Sequence, residues 1–291
     1  MNNPIQSIVE KKNRPLILDG AMGTLLIERG IQPYRSLWTT IANVVNWDLV
    51  REIHSEYIES GAEIITTNTF NSNPISVKTS NFDMSSQKLV ELAFKAAYEA
   101  RGDKDVLIAG CNAPAEDCYQ RERTIKFSEL EYNHKKHIEI LWEAGVDIIW
   151  NETQSHLDEV EIIASFCETN QLPYVVSLYF DTQLKLLSGE DVYETAVYLL
   201  SKFKNINLSF NCIPPRDLLK LFQKKDINFK HGFYLNCGKS DVRTETIKDR
   251  ISPDEYVKYI QELQTPQTTF IGSCCGSTPE HTLKIKEHLL A

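Results

Sequence analysis

Eight short runs rich in β-branched and apolar residues recur along the chain, each followed by a longer stretch with helical spacing. They are Pro15 to Asp19, Glu63 to Thr67, Val106 to Asn112, Asp147 to Glu152, Tyr174 to Phe180, Ile206 to Cys212, His231 to Asn236 and Thr268 to Cys274. Strands separated by helices do not pair through tight hairpins. The helix crosses back over the sheet, so the strands run parallel and both sheet faces are covered. Eight such units match a closed α/β architecture, the (β/α)8 TIM barrel, with an open doubly wound sheet as the competing arrangement.

The intervening stretches carry the stripe that a covering helix needs. Leu89, Leu92, Ala93, Ala96 and Ala97 share one helical face, as do Leu157, Val160, Ala164 and Cys167. Ser252-Pro253-Asp254-Glu255 and Ser277-Thr278-Pro279-Glu280 each set a hydroxyl before a first-turn proline, with acids where the helix dipole favours them. No repeat, low-complexity tract or Gly/Ser-rich linker divides the 291 residues. At roughly 33 residues per βα unit, eight units use nearly all of them, so residues 1–291 are expected to form one domain. The longest irregular insert after the first strand, Gln32 to Asn46, is expected to form part of a lid with the nearby bulky Tyr34, Trp38 and Trp47.

Charge and hydropathy remove several functions. Lys and Arg total 31 against 40 Asp and Glu, a formal net charge of −9. That is the wrong sign for a protein that binds nucleic-acid backbones or an anionic membrane surface. No apolar run approaches about 18 residues, and the first dozen residues lack the apolar core of a secretory signal, so a soluble cytoplasmic protein is expected. Seven cysteines are an odd number for a disulfide framework in a reducing compartment, which directs attention to metal or catalytic use.

In a barrel of this kind the chemistry sits at the carboxyl ends of the strands. Those ends carry Asp19-Gly20, Thr67-Asn68-Thr69, Asn112, Asn151-Glu152, Asn211-Cys212, Asn236-Cys237 and Cys274-Cys275. A single polar residue there is ordinarily a turn former or a helix cap. Three cysteines at one level are not. Cys212, Cys274 and Cys275 have the number and softness for a zinc ion with one open coordination position. Neighbours on a regular strand face opposite ways, so the adjacent pair can share an ion only if the strand breaks there, a break that Gly276 allows. A vicinal disulfide or redox pair is the alternative.

The remaining candidates read more plainly. Cys167 belongs to a helix stripe; Cys237, next to Asn236 at the mouth, is read as structural, with competition for the metal or oxidation with a ligand as the alternative; Cys111 and Cys118 receive no role. His134 and His137 stand one turn apart on a polar helix face and are read as a solvated pair, and His281 as support for the fold. No dinucleotide fingerprint or Walker sequence is present. Lys239 alone is weak ground for a Schiff-base aldolase.

Asp19-Gly20-Ala21-Met22-Gly23-Thr24, Thr67-Asn68-Thr69-Phe70, Asn151-Glu152-Thr153, Asn211-Cys212 and Gly272-Ser273-Cys274-Cys275-Gly276-Ser277-Thr278-Pro279-Glu280-His281 resemble, in order and spacing, the motifs of the zinc-dependent homocysteine S-methyltransferases. The resemblance covers almost the whole chain. It implies zinc on Cys212, Cys274 and Cys275, with Asn236 able to fill the fourth position before substrate arrives. It also implies homocysteine bound by Asp19, Gly20, Thr67, Asn68 and Glu152. The chain departs from the family at Leu235-Asn236-Cys237-Gly238, at Ser273 and at Ser209-Phe210, leaving the ligands intact.

The implied reaction moves a methyl group from a cationic donor, S-methylmethionine or S-adenosylmethionine, to the thiol of homocysteine, giving methionine. Tyr34, Trp38, Phe70, Tyr179 and Phe180 are candidate faces for the donor cation. A betaine-dependent enzyme and a non-enzymatic zinc or thiol redox protein are the alternatives. Partners are expected to be small molecules only, and oligomeric state is not legible.

Overall fold

A computed structural model of the chain describes residues 3–238 and 249–291. Its sheet has eight strands: β1 Leu16–Ile17, β2 Ile64–Thr66, β3 Leu107–Asn112, β4 Ile148–Gln154, β5 Tyr174–Leu178, β6 Ile206–Asn211, β7 His231–Leu235 and β8 Thr268–Ser273. All pairings are parallel, in the order β1-β8-β7-β6-β5-β4-β3-β2. Residues just beyond β1 close the ring. Leu18 bridges Ile64, the Asp19 N–H donates to Ile64 O at 2.9 Å, and the Glu63 N–H donates to Ile17 O at 2.7 Å. The architecture is the expected (β/α)8 barrel.

Two apolar layers follow from the alternation of side chains across each strand. Inside the ring, Leu16, Ile64, Ala109, Ile148, Val175 and Phe270 pack with Trp150 and Tyr234. The Trp150 indole N–H donates to the Tyr234 hydroxyl at 2.9 Å, so the polar atoms of these two buried aromatics satisfy each other. Ile5, from the helix Pro4–Lys12, joins this cluster. Outside the ring, helices Ser86–Arg101 and Leu157–Thr169 bury Leu89, Ala93, Ala96, Ala97, Val160, Ala164 and Cys167 of the expected stripes, while Leu92 and Leu157 are partly exposed.

Caps end the helices where the sequence marks them. Ser252 Oγ accepts from the Glu255 N–H at 3.2 Å. At the last helix, Pro279–Leu290, His281 Nδ1 accepts from the Thr278 N–H at 3.1 Å, while its Nε2–H donates to Ile251 O at 2.9 Å. His281 thus supports the fold, as expected.

The solvated-pair reading of His134 and His137 is overturned. Both are fully buried inside the helix Phe127–Ala144. His134 Nε2 lies 2.8 Å from Glu159, and His137 bridges Ser72 and Asn112 at 2.9 Å on each side. Glu159 and Asn112 come from other elements and supply the partners that make burial affordable, which helical spacing alone does not reveal. Among the described residues no helix is long and apolar enough to cross a membrane.

Candidate active site

At the carboxyl end of the barrel a cavity of about 340 Å³ is lined by Asp19, Thr67, Asn68, Glu152 and the three cysteines Cys212, Cys274 and Cys275, together with Gly20. The sequence scatters these residues over five strand ends. The barrel brings them to one mouth.

The three sulfurs lie within 4.8 Å of one another, with Cys212 Sγ and Cys275 Sγ 3.5 Å apart. Tetrahedral zinc with sulfur at about 2.3 Å spaces its sulfurs about 3.8 Å apart, so the trio fits a metal ion with side-chain adjustments below about 1 Å. Backbone geometry makes this possible. Cys212 follows β6 in the left-handed region, φ 55°, a conformation that costs a non-glycine residue of order 1–3 kcal/mol and is concentrated at functional sites. Strand β8 ends at Ser273, so the pleat no longer forces Cys274 and Cys275 apart, and Gly276 at φ +81° turns the chain away. The Cys274 N–H donates to Leu235 O at 2.8 Å and the Cys237 N–H to Cys275 O at 2.9 Å, fixing the doublet to the end of β7.

Charge is unevenly shared in the trio. Cys212 is held well below the usual thiol range, chiefly by donation from Cys274 and Cys275, with Tyr119 adding to it. Cys274 and Cys275 are pushed up in turn, first by the same contact with Cys212. The trio would hold a metal ion as three thiolates, with its remaining protons released.

Two carboxylates share the cavity. Asp19 Oδ2 accepts from the Thr66 N–H at 2.7 Å, which anchors it where β1 ends. Burial pushes the Asp19 carboxyl well above its ordinary range, and the charge of Glu152 pushes the same way. Glu152 Oε2 accepts from the Cys111 thiol at 3.1 Å. Burial raises its carboxyl to about 7, and the Cys212 sulfur also raises it. At Gly20 an added Cβ would lie 2.6 Å from Ser277 Oγ and 2.9 Å from Tyr57 Oη, the two groups that hold the backbone of Ala21. Only glycine admits that approach.

Threonine hydroxyls brace the second strand end. The Cys111 N–H donates to Thr67 Oγ1 at 3.2 Å, and Thr69 Oγ1 donates to Cys111 O at 2.7 Å. The Thr67 hydroxyl, 2.8 Å from that of Thr69, is left to donate to it. Asn68 Nδ2 donates to Thr39 O at 3.1 Å and to Asn43 Oδ1 at 3.0 Å, tying the Gln32 to Asn46 insert to the site.

Not every expected residue lines the cavity. Asn236 is buried beyond β7, where its Oδ1 accepts from the Gly238 N–H at 2.8 Å and its own N–H donates to Ile213 O at 3.0 Å. Of the five candidate aromatics, Trp38 and Phe70 line the cavity, with ring centroids 6.4 Å apart. Tyr34 packs on Phe82 instead, Phe180 is buried against Phe210, and Tyr179 stands edge-on behind Tyr119. Trp47 is committed to the helix layer, its indole donating to Leu92 O at 2.9 Å. Cys237 is fully buried, its thiol donates to Leu235 O at 3.7 Å, and it does not line the cavity. Lys239 lies outside the described residues.

Sequence reading passed over Cys111, Cys118, Tyr119 and Tyr234, all of which line the cavity. Tyr119 and Cys118 sit in the long loop after β3, where no strand register places a side chain.

Residues 16–289 match the family profile described as homocysteine S-methyltransferase. The homocysteine S-methyltransferase of Escherichia coli (strain K12) is 26% identical over 310 residues, covering 98% of this chain and 98% of that protein. The selenocysteine methyltransferase of Astragalus bisulcatus is 24% identical over 322 residues, covering 96% of this chain and 94% of that protein. Among solved structures, the metallated form of the homocysteine methyltransferase MmuM from Escherichia coli aligns with a TM-score of 0.81 at 24% identity, over 98% of this chain and 99% of that one, a likeness of fold. With the fold, the cysteine trio and a profile match over nearly the whole length in agreement, the chain belongs to the homocysteine S-methyltransferase family and is a methyltransferase.

Proposed function

We propose that the protein transfers a methyl group from a sulfonium donor, S-methylmethionine or S-adenosylmethionine, to the thiol of homocysteine, with Cys212, Cys274 and Cys275 holding zinc. The observation that carries this reading is the juxtaposition of three sulfurs within 4.8 Å with the buried Asp19 and the partly buried Glu152 in one cavity. Such a cavity suits a small amino acid that carries both a thiol and an ammonium group.

When bound, zinc supplies the deprotonated substrate sulfur that a free thiol of pKa near 8.5 provides only sparsely at neutral pH. Glu152 and Asp19 orient the amino acid through its ammonium group, so that sulfur, methyl carbon and leaving sulfur fall in line, a positioning contribution rather than proton chemistry. The new S–CH3 bond forms as the donor's C–S bond breaks, and the electron pair leaves with the donor sulfur as a neutral thioether. Trp38 and Phe70 offer ring surface at the mouth to the cationic donor. Three thiolates leave the site anionic, which also favours a cation and disfavours a water-activating hydrolase.

The test incubates reduced protein with homocysteine and, separately, S-methylmethionine, S-adenosylmethionine or betaine, measuring methionine and bound zinc. The expected result is about one zinc per chain and methionine from a sulfonium donor. Methionine from betaine alone moves the donor assignment, and methionine from none of them overturns the activity. Cys212→Ser is expected to lose zinc and turnover together.

A further inference from the structure

The loop after β3 delivers a phenol to the sulfur trio. Tyr119 Oη lies 3.2 Å from Cys212 Sγ, within the same cavity. We infer that Tyr119 is a positioning residue whose hydroxyl donates to the Cys212 sulfur and limits how much negative charge that sulfur returns to a bound metal ion. The inference rests on the proposed reading of Cys212 as a metal ligand.

Polarity follows from chemistry. A metal-bound cysteine has lost its proton and can only accept, so the phenol must be the donor in that state. Among the described residues, Cys212 is the one sulfur of the three that a side-chain hydroxyl reaches. It is also the one with left-handed backbone, φ 55°. The contact therefore singles out the ligand whose placement has the greatest backbone cost.

Tyr119 is held there from several directions. Its N–H donates to Asp117 Oδ1 at 2.9 Å, Ser155 Oγ donates to the neighbouring Cys118 O at 3.2 Å, and His156 Nε2 donates to Arg121 O at 3.0 Å. Arg121 pairs with Asp181 at 2.7 Å. The ring stands edge-on to Tyr179 with centroids 5.1 Å apart and an interplanar angle of 72°. A side chain so clamped delivers its hydroxyl to a fixed point at little further entropic cost. Hydrogen bonds to a ligand atom orient it and withdraw charge from it. Losing such a partner changes both the orientation and the charge of the ligand atom.

The test replaces zinc with cobalt(II) in the full-length protein and records the sulfur-to-metal charge-transfer band. Tyr119→Phe keeps the ring packing and removes the hydroxyl. It is expected to move the band to longer wavelength, because a thiolate without its donor is more electron-rich, with unchanged circular dichroism. A second variant with 3-fluorotyrosine at position 119, a more acidic donor, is expected to move the band the opposite way, and it decides the matter if Tyr119→Phe does not fold. A band indistinguishable from wild type, or no response to fluorination, overturns the role of Tyr119. Wild-type protein that takes up no metal overturns the metal-site reading itself, and the two failures are told apart by that control.

Discussion

Glu152 has a carboxyl raised to about 7, chiefly by burial. Below that pH it is neutral and offers little to a substrate ammonium. Above it, the carboxylate would make, with the ammonium of the proposed substrate, a charge-assisted hydrogen bond worth about 1.5–3 kcal/mol. The sign is therefore fixed: the advantage of the native residue grows as pH rises through about 7. Glu152→Gln keeps the shape and an acceptor, so KM for homocysteine should rise about 10-fold or more at pH 8, with zinc content unchanged. The gap from wild type should shrink towards pH 6, and a gap that is constant with pH would exclude the ammonium as the partner. Cys111, whose thiol donates to the same carboxylate, is itself pushed well above the usual range by burial and then by Glu152. It remains a neutral donor throughout this window.

Two strand ends depend on each other through Asn211, the last residue of β6. Its Oδ1 accepts from the Thr153 N–H at 2.9 Å and its Nδ2 donates to Thr153 Oγ1 at 2.8 Å. Thr153 is left-handed at φ 57°, inside the register shift between Asn151 and Gln154 of β4, and Cys212 is left-handed next to Asn211. One buried amide thus holds the irregular backbone that presents Glu152 and the irregular backbone that presents Cys212. Asn211→Ala leaves the Thr153 N–H buried and unpaired, a cost of about 1–3 kcal/mol. We expect the thermal midpoint to fall by about 2–8 °C and metal affinity to fall with it. Calorimetry and chelator competition check the two effects, and an unchanged metal affinity would show that the strand ends are independent. The eight strands were legible because apolar runs and helical stripes are local properties of the chain. The cysteine trio was legible because strand ends and Gly276 are also visible locally. The Asn211 tie was not, since it needs the partner strand's bulge, and neither was Tyr119, which reaches Cys212 across 93 residues of sequence. His134 was misread for the same reason, because its partner Glu159 lies 25 residues away on a different helix.

Across the whole molecule, buried titratable groups make stability depend on pH in opposing ways. Asp19 and Glu152 have raised carboxyls, so the native state holds their protons longer than the unfolded chain and gains from falling pH in that window. His54 and His137 do the reverse. Burial lowers both from 6.5 to about 3, with the charge of His134 adding for His137. Between those limits the unfolded chain takes up protons that the native state refuses, so each histidine leaves stability intact above pH 6.5. Well below that, each removes about 1.4 kcal/mol per pH unit, levelling near pH 3. Because the two sets oppose each other, the informative quantity is the difference made by one residue. His54 is suited to this, since it is fully buried in the helix Trp47–Glu59 and neither ring nitrogen has a hydrogen-bond partner among the described residues. His54→Leu removes two unsatisfied polar atoms while keeping an apolar body of similar size. It should be neutral or stabilising at pH 7.5, by up to about 1–3 kcal/mol. Its advantage over wild type should then widen by about 1.4 kcal/mol for each pH unit below about 5.5. Denaturant unfolding of both proteins at pH 7.5, 5.5 and 4.5 measures it. Parallel stability curves would mean that His54 is protonated in the native state and that a carboxylate reaches it.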